Sequence, residues 1–141
     1  MELIKGKVFK KAAAPSRRHQ DVSMTLSRIL GNYLLGQKCK IYAAPFDVRL
    51  SKDPDYKIID SVVQPDISVI CDSSKLDEKG CLGAPDLIVE ILSPSNSQVE
   101  LQIKYDLYQE YGVKEYWIIH PVENTLQINI LVEGVYQPSR R

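Results

Sequence analysis

This sequence has no surplus of charge. Eighteen basic residues balance eighteen acidic ones, giving a formal net charge of zero. The field of the whole protein therefore offers nucleic acid no attraction, and any such contact needs a local basic patch. No apolar run is long enough to span a bilayer and no signal peptide is apparent, so no membrane partner is expected. The three cysteines, Cys39, Cys71 and Cys81, are odd in number and lack C-x-x-C spacing. That argues against a disulfide framework and a structural zinc site, and makes a reducing cytoplasm the expected location. Internal repeats and low-complexity segments are also missing. Ser95 and Ser97 have no histidine–acid pair indicated beside them, which counts against a serine nucleophile. The eight tyrosines mostly follow core spacing and make no obvious base-stacking platform.

What is present suits one soluble domain with one core. The 141 residues are 44% hydrophobic and 26% charged, close to the globular average. A short strand is expected within Glu2 to Phe9, and Ala12-Ala13-Ala14-Pro15 breaks it. Ser16 can cap a helix running to about Leu35, with Val22, Leu26, Ile29, Leu30, Tyr33 and Leu34 as its apolar stripe and Gly36 as its stop. Strands are expected from Cys39 to Leu50, interrupted at Pro45, from Val62 to Cys71, and from Leu87 to Leu92. A loop from Asp72 to Gly83 separates the second and third. Val99 to Tyr111 reads as a second helix. Glu115 to His120 and Leu126 to Val132 are the last strands, with a turn at Glu133-Gly134. This order predicts an α/β or α+β layer sandwich.

Glu90 lies within the apolar run Leu87-Ile88-Val89-Glu90-Ile91-Leu92. A desolvated carboxylate is costly unless a cation or strong donors compensate it. Strand side chains alternate faces, so Asp86, Ile88, Glu90 and Leu92 share one face. Asp66, Ser68 and Ile70 share a face of the preceding strand. If the two strands are neighbours, Asp66 and Glu90 converge, and two hard oxygen ligands with room for water suit Mg²⁺ or Mn²⁺. The plainer alternatives are strand-start turns for Asp66 and Asp86 and a structural arginine partner for Glu90.

On a helical wheel of about 100° per residue, Gln102, Asp106, Gln109 and Glu110 form the polar arc of the second helix. Lys104 falls in the opposite arc, between Tyr108 and Tyr111. It either snorkels to water or pairs with Glu100, or it points at the sheet towards Glu90. In the second case its charge can stabilise a phosphate or orient an attacking water. His19, in the first turn of the first helix, reads as a surface or capping residue, and His120 as structural. Lys10-Lys11 and Arg17-Arg18 could touch phosphates, though a solvated helix start fits them better.

With these residues in view, the chain resembles the Uma-type family of putative restriction endonucleases, within the PD-(D/E)XK nuclease superfamily. The resemblance rests on Pro15-Ser16 with His19-Gln20, Ala44-Pro45-Phe46-Asp47-Val48, Gln64-Pro65-Asp66 and Gly83-Ala84-Pro85-Asp86-Leu87. It continues through Val89-Glu90-Ile91-Leu92-Ser93-Pro94-Ser95, then Lys104, Tyr108, Gly112-Val113 and Glu115-Tyr116-Trp117-Ile118. It implies a restriction endonuclease-like mixed β-sheet with flanking helices, and a single domain over residues 1–141. It also implies a Mg²⁺- or Mn²⁺-dependent endonuclease acting on DNA; a homodimer is one possible assembly. Asp66, Glu90 and Asp86 would be the metal ligands, and Lys104 would complete the catalytic set. In the superfamily the lysine usually lies two residues after the acid on one strand. Leu92 occupies that slot here, and the family is thought to use a lysine on the following helix, which by position is Lys104. Glu100 stands where relatives often have aspartate, and a further C-terminal strand found in relatives is expected to be lacking. Two other functions remain open: a non-catalytic interaction module on the same fold, and hydrolysis of another phosphorylated substrate.

Overall fold

Alternating apolar residues in short runs, broken by proline and glycine, give this chain many brief strands and two helices. A computed structural model describes residues 1–10 and 14–140, with side chains as far as residue 138. Lys11, Ala12 and Ala13 lie outside the described residues. In chain order the elements are β1 (Glu2–Ile4), β2 (Lys7–Phe9), α1 (Arg17–Leu34), β3 (Lys40–Ala43), β4 (Val48–Leu50), β5 (Ser61–Val63) and β6 (Ile67–Ile70). A 3₁₀ turn (Ser73–Lys75) follows, then β7 (Leu76–Asp77), β8 (Gly80–Leu82), β9 (Leu87–Ile91), α2 (Gln98–Glu110), β10 (Glu115–His120), β11 (Thr125–Val132) and β12 (Val135–Arg140).

The strands form two mixed sheets, in the orders β2-β1-β5-β4-β8-β7 and β12-β11-β10-β9-β6-β3. The fold class is α+β, as the sequence predicts. Antiparallel pairing dominates, and only β4 with β8 and β9 with β10 run parallel among the described residues. Several boundaries differ from the sequence reading. The stretch read as one strand from Val62 to Cys71 breaks at Gln64–Asp66, where the chain leaves the first sheet and enters the second. Pro65 has no N–H to donate and suits the crossing. The stretch from Cys39 to Leu50 divides in the same way around Pro45. Glu2 to Phe9 is a hairpin, since Lys5 and Gly6 both take positive φ, the geometry of a tight two-residue turn. Within the expected loop from Asp72 to Gly83, β7 and β8 pair as a hairpin. Gly80 is required there: its φ is +130°, and a Cβ would collide with the Asp47 carbonyl oxygen. A strand, β12, follows Val132 and pairs along its length with β11, where the sequence reading expected none.

The two faces of β9 bury different cores. Ile67, Val69, Leu87, Val89 and Ile91 pack beneath α1, against Val22, Leu26, Leu30 and Leu34. That stripe is a strict i,i+4 row. Ile29 and Tyr33, expected to belong to it, are exposed, because successive i,i+4 steps keep to one side of the cylinder. On the other face Ile70, Ile88, Tyr116 and Ile118 meet Leu107, Tyr108 and Val113. Tyr108 and Tyr116 are fully buried and meet edge to face at 4.9 Å. Each buried aromatic of this kind stabilises by about 1.5–3 kcal/mol through area alone.

The cysteine reading needs correction. Cys39 and Cys71 are joined in a disulfide, and Cys81 is free and buried. The pairing follows from strand register: Lys40 lies opposite Ile70, so the residues flanking that pair also face each other. Sequence spacing carries no trace of this, because the partners are 32 residues apart. No helix among the described residues is long and apolar enough to cross a membrane.

Candidate functional site

The chain crosses between sheets at Gln64–Asp66, and there the backbone loses its ladder partners. Buried carboxylates take their place. Glu2 Oε2 accepts the Gln64 N–H at 2.8 Å, and Glu90 Oε1 accepts the Asp66 N–H at 3.2 Å. Asp66 returns the bond across the strands, its Oδ2 accepting the Ile91 N–H at 2.7 Å. This reciprocity reflects register. β6 and β9 are antiparallel with Ile67 opposite Val89, which sets Asp66 against Glu90. Both carboxylates line one cavity of about 1080 Å³, together with Glu2, His19, Gln64 and Lys104.

Lys104 enters from α2. Ser97 caps that helix by accepting the Glu100 N–H, and Leu107 and Tyr108 anchor its apolar face. Lys104 Nζ is thereby held 2.8 Å from Glu90 Oε2 and 2.9 Å from Glu2 Oε1. Its side chain is only 20% exposed. Burial works against the ammonium, but the Glu90 and Glu2 carboxylates outweigh it and hold the pKa above that of an ordinary lysine. Glu90 is pushed the other way, towards its neutral form. Burial is the largest cause, and the Asp66 and Glu2 charges add to it against the pull of Lys104. The Tyr108 hydroxyl lies 3.5 Å from Glu90 Oε2. Burial, then the Glu90 charge, keeps it protonated. Two carboxylates thus share one ammonium, and a third, that of Asp66, lines the same cavity.

The expected residues separate into two groups. Asp66, Glu90 and Lys104 line one cavity. Asp86 is not among the residues lining this cavity. It shares the face of Glu90 but sits at the other end of the strand, where Oδ1 accepts the Cys71 N–H at 2.8 Å and Oδ2 lies 3.3 Å from Lys114. His19 is not a surface residue. Its side chain is 12% exposed and Nε2 lies 3.2 Å from Asp66 Oδ1. Glu2 went unnoticed in the sequence. The signal that could have found it is an acidic residue alternating with Leu3 and Ile4 on a strand expected to be half buried. Ser95, Glu100 and Lys10 also line the cavity. Ser97 is occupied as the helix cap, and Arg17 lies 3.8 Å from Asp21.

Among the described residues, no group of three or more His, Cys, Asp and Glu side chains is arranged as a ready-made metal cage. The donor chemistry nonetheless fits a hard divalent cation, which often takes one or two carboxylates and keeps several waters. Asp66 offers Oδ1 towards the cavity while Oδ2 stays fixed to the backbone.

Comparison with known proteins bears on the fold and the family. The chain aligns with a putative nuclease of DUF820 from Anabaena variabilis at a TM-score of 0.77 and 23% identity, covering 99% of this chain and 74% of that one. At that identity the likeness shows the fold. An uncharacterized Synechocystis protein, slr1290, is 30% identical over 93 residues, 66% of this chain. The match covers 46% of that relative, so this chain spans about half the length of the curated protein it resembles. Nothing in the comparisons or the geometry supports a homodimer. The Uma2 family, described as putative restriction endonuclease, matches residues 1–141, and the chain belongs to it.

Proposed function

We propose that this chain is a nuclease domain that hydrolyses phosphodiester bonds in DNA with Mg²⁺ or Mn²⁺ held by Asp66 and Glu90. The observation that carries this reading is the Lys104 ammonium, 2.8 Å from Glu90, on the wall of a cavity that Asp66 also lines. Lys104 and its carboxylate partners are recessed in a cavity and not presented on an open face. That favours hydrolysis over the interaction-module alternative. Asp86 is left out of the ligand set, because it does not line the cavity that Asp66 and Glu90 share.

A bound divalent cation supplies charge neutralisation at the phosphate and a water of lowered pKa. The protein's own groups do the rest. The Ile91 N–H fixes Asp66, and the Asp66 N–H fixes Glu90. Lys104 stabilises negative charge growing on the phosphoryl oxygens, or orients the attacking water through its N–H donors. Glu2 holds the second side of Lys104 and so restricts the ammonium to one position.

The test is cleavage of supercoiled plasmid DNA. Nicking that needs Mg²⁺ or Mn²⁺, stops in EDTA and is lost in Asp66→Asn supports the reading. Cleavage that continues in EDTA would overturn the metal-dependent part of it. Absence of cleavage under every divalent-ion condition would return the interaction module to first place.

A further inference from the structure

The cavity holds one polar contact that the proposed chemistry has not used. His19 Nε2 lies 3.2 Å from Asp66 Oδ1, and on the far side of the ring Nδ1 lies 3.0 Å from Gln20 Oε1. We propose that His19 Nε2 and Asp66 Oδ1 form one edge of the cation site, and that the imidazole biases this site towards Mn²⁺ over Mg²⁺. The inference rests on the metal-dependent reading above and deepens it.

Three observations support it. The first is spacing. In octahedral coordination with bonds of about 2.1 Å, neighbouring ligand atoms stand roughly 3 Å apart. The separation of 3.2 Å fits two adjacent ligands with little movement. The second is the proton. With its proton on Nδ1 the ring can donate to the Gln20 oxygen at 3.0 Å, and that tautomer leaves the Nε2 lone pair free for a cation beside Asp66. A ligating histidine characteristically donates its other N–H to an oxygen acceptor, the part Gln20 plays here.

The third is positioning. Ser16, the cap of α1, accepts the backbone N–H of His19 at 3.1 Å. That bond sets the residue at the mouth of the cavity. Asp66 is held equally firmly through Oδ2 by the Ile91 N–H. The Asp66 carboxylate is therefore held by a backbone hydrogen bond, while the cap places the His19 main chain and Gln20 orients its ring. An imidazole nitrogen is a softer donor than a carboxylate or water oxygen. Mn²⁺ accepts it more readily than Mg²⁺, which demands oxygen and ideal geometry.

The experiment is Mn²⁺ binding to the full chain, followed by electron paramagnetic resonance with Mg²⁺ as competitor. Wild type should bind Mn²⁺ tighter than Mg²⁺ by tenfold or more, and pulsed spectra should show nitrogen-14 coupling from a directly bound imidazole. The chain contains two histidines, and His120 is not among the residues lining the cavity. His19→Asn should lose the nitrogen coupling and weaken Mn²⁺ by tenfold or more, with Mg²⁺ changed less than threefold. Asp66→Asn should weaken both ions. Absence of nitrogen coupling in wild-type protein carrying bound Mn²⁺ would overturn the inference whether or not His19→Asn folds well. If Asp66→Asn weakens both ions while His19→Asn changes neither, only the role of His19 fails. If Asp66→Asn binds both ions like wild type, the metal site itself fails and the inference goes with it.

Discussion

The two ends of β9 carry the same chemistry in different surroundings. At one end Asp86 accepts a backbone N–H and lies 3.3 Å from a lysine, Lys114. At the other, Glu90 bonds to a tyrosine and a lysine, Lys104, at 2.8 Å. The two acids lie on the same face of one strand. What separates them is depth. Lys114 is 75% exposed and Lys104 is 20% exposed. Water screens the first pair, so it serves to fasten the start of the strand. The second pair sits in a cavity that Glu2 and Asp66 also line, where burial pushes Glu90 towards neutrality and an added cation would be attracted. A lysine and an acid become a candidate site through desolvation and convergence.

That contrast can be broken first through activity. Lys104→Met keeps the apolar stem and deletes the charge. It should slow cleavage by about a hundredfold or more if the ammonium stabilises the transition state. Lys114→Met should cleave at the wild-type rate. Equal rates for the two variants in a single-turnover assay would dissolve the distinction between the two ends.

Stability gives a second, smaller contrast. Removing Lys104 leaves the Glu2 and Glu90 carboxylates buried without their cation, a loss of about 3 kcal/mol. Removing Lys114 from an exposed pair should cost under about 1 kcal/mol. Urea unfolding of both variants measures the difference. Lowered stability in Lys104→Met is expected whatever its catalytic part, because the lysine bonds two buried acids. Turnover alone decides its chemical role.

Another exposed pair is Lys5 with Glu110, at 2.6 Å. The hydrogen bond from Lys5 is the largest cause holding the Glu110 carboxyl below its ordinary value of 4.5. A lowered folded-state pKa stabilises the protein above the ordinary value, and that contribution fades as pH falls through the lower one. The melting temperatures of wild type and Lys5→Met should therefore differ slightly at neutral pH and converge below about pH 4.5. A gap that widens with acid would contradict the pairing.

Much of this contrast was legible before the fold was known, and particular residues show where legibility stops. Strand parity predicted that Asp66 and Glu90 share a face, because a period of two admits no other answer once the strands pair. The helical wheel predicted Lys104, because a lysine among tyrosines is out of place on an amphipathic helix. The same parity argument admitted Asp86, since alternation reports the face and not the position along it or the depth of burial. His19 reads as a surface or capping residue in sequence because Asp66 is 47 positions away, and only tertiary packing joins them. Glu2 was missed for the same reason, and the Cys39–Cys71 bond because cross-strand register leaves no local mark. Gln64–Asp66 read as the middle of a strand. The change of sheet there depends on tertiary partners that the segment itself does not encode.

The central claim is that Glu90 is the functional acid and Asp86 the structural one. Glu90→Gln and Asp86→Asn each remove a charge with little change in volume. Their cleavage rates, measured side by side with Mn²⁺ on one DNA substrate, test the claim most directly. Glu90→Gln should lose cleavage by a thousandfold or so while remaining folded, and Asp86→Asn should stay within about threefold of wild type. Wild-type cleavage by Glu90→Gln, or loss confined to Asp86→Asn, would contradict it.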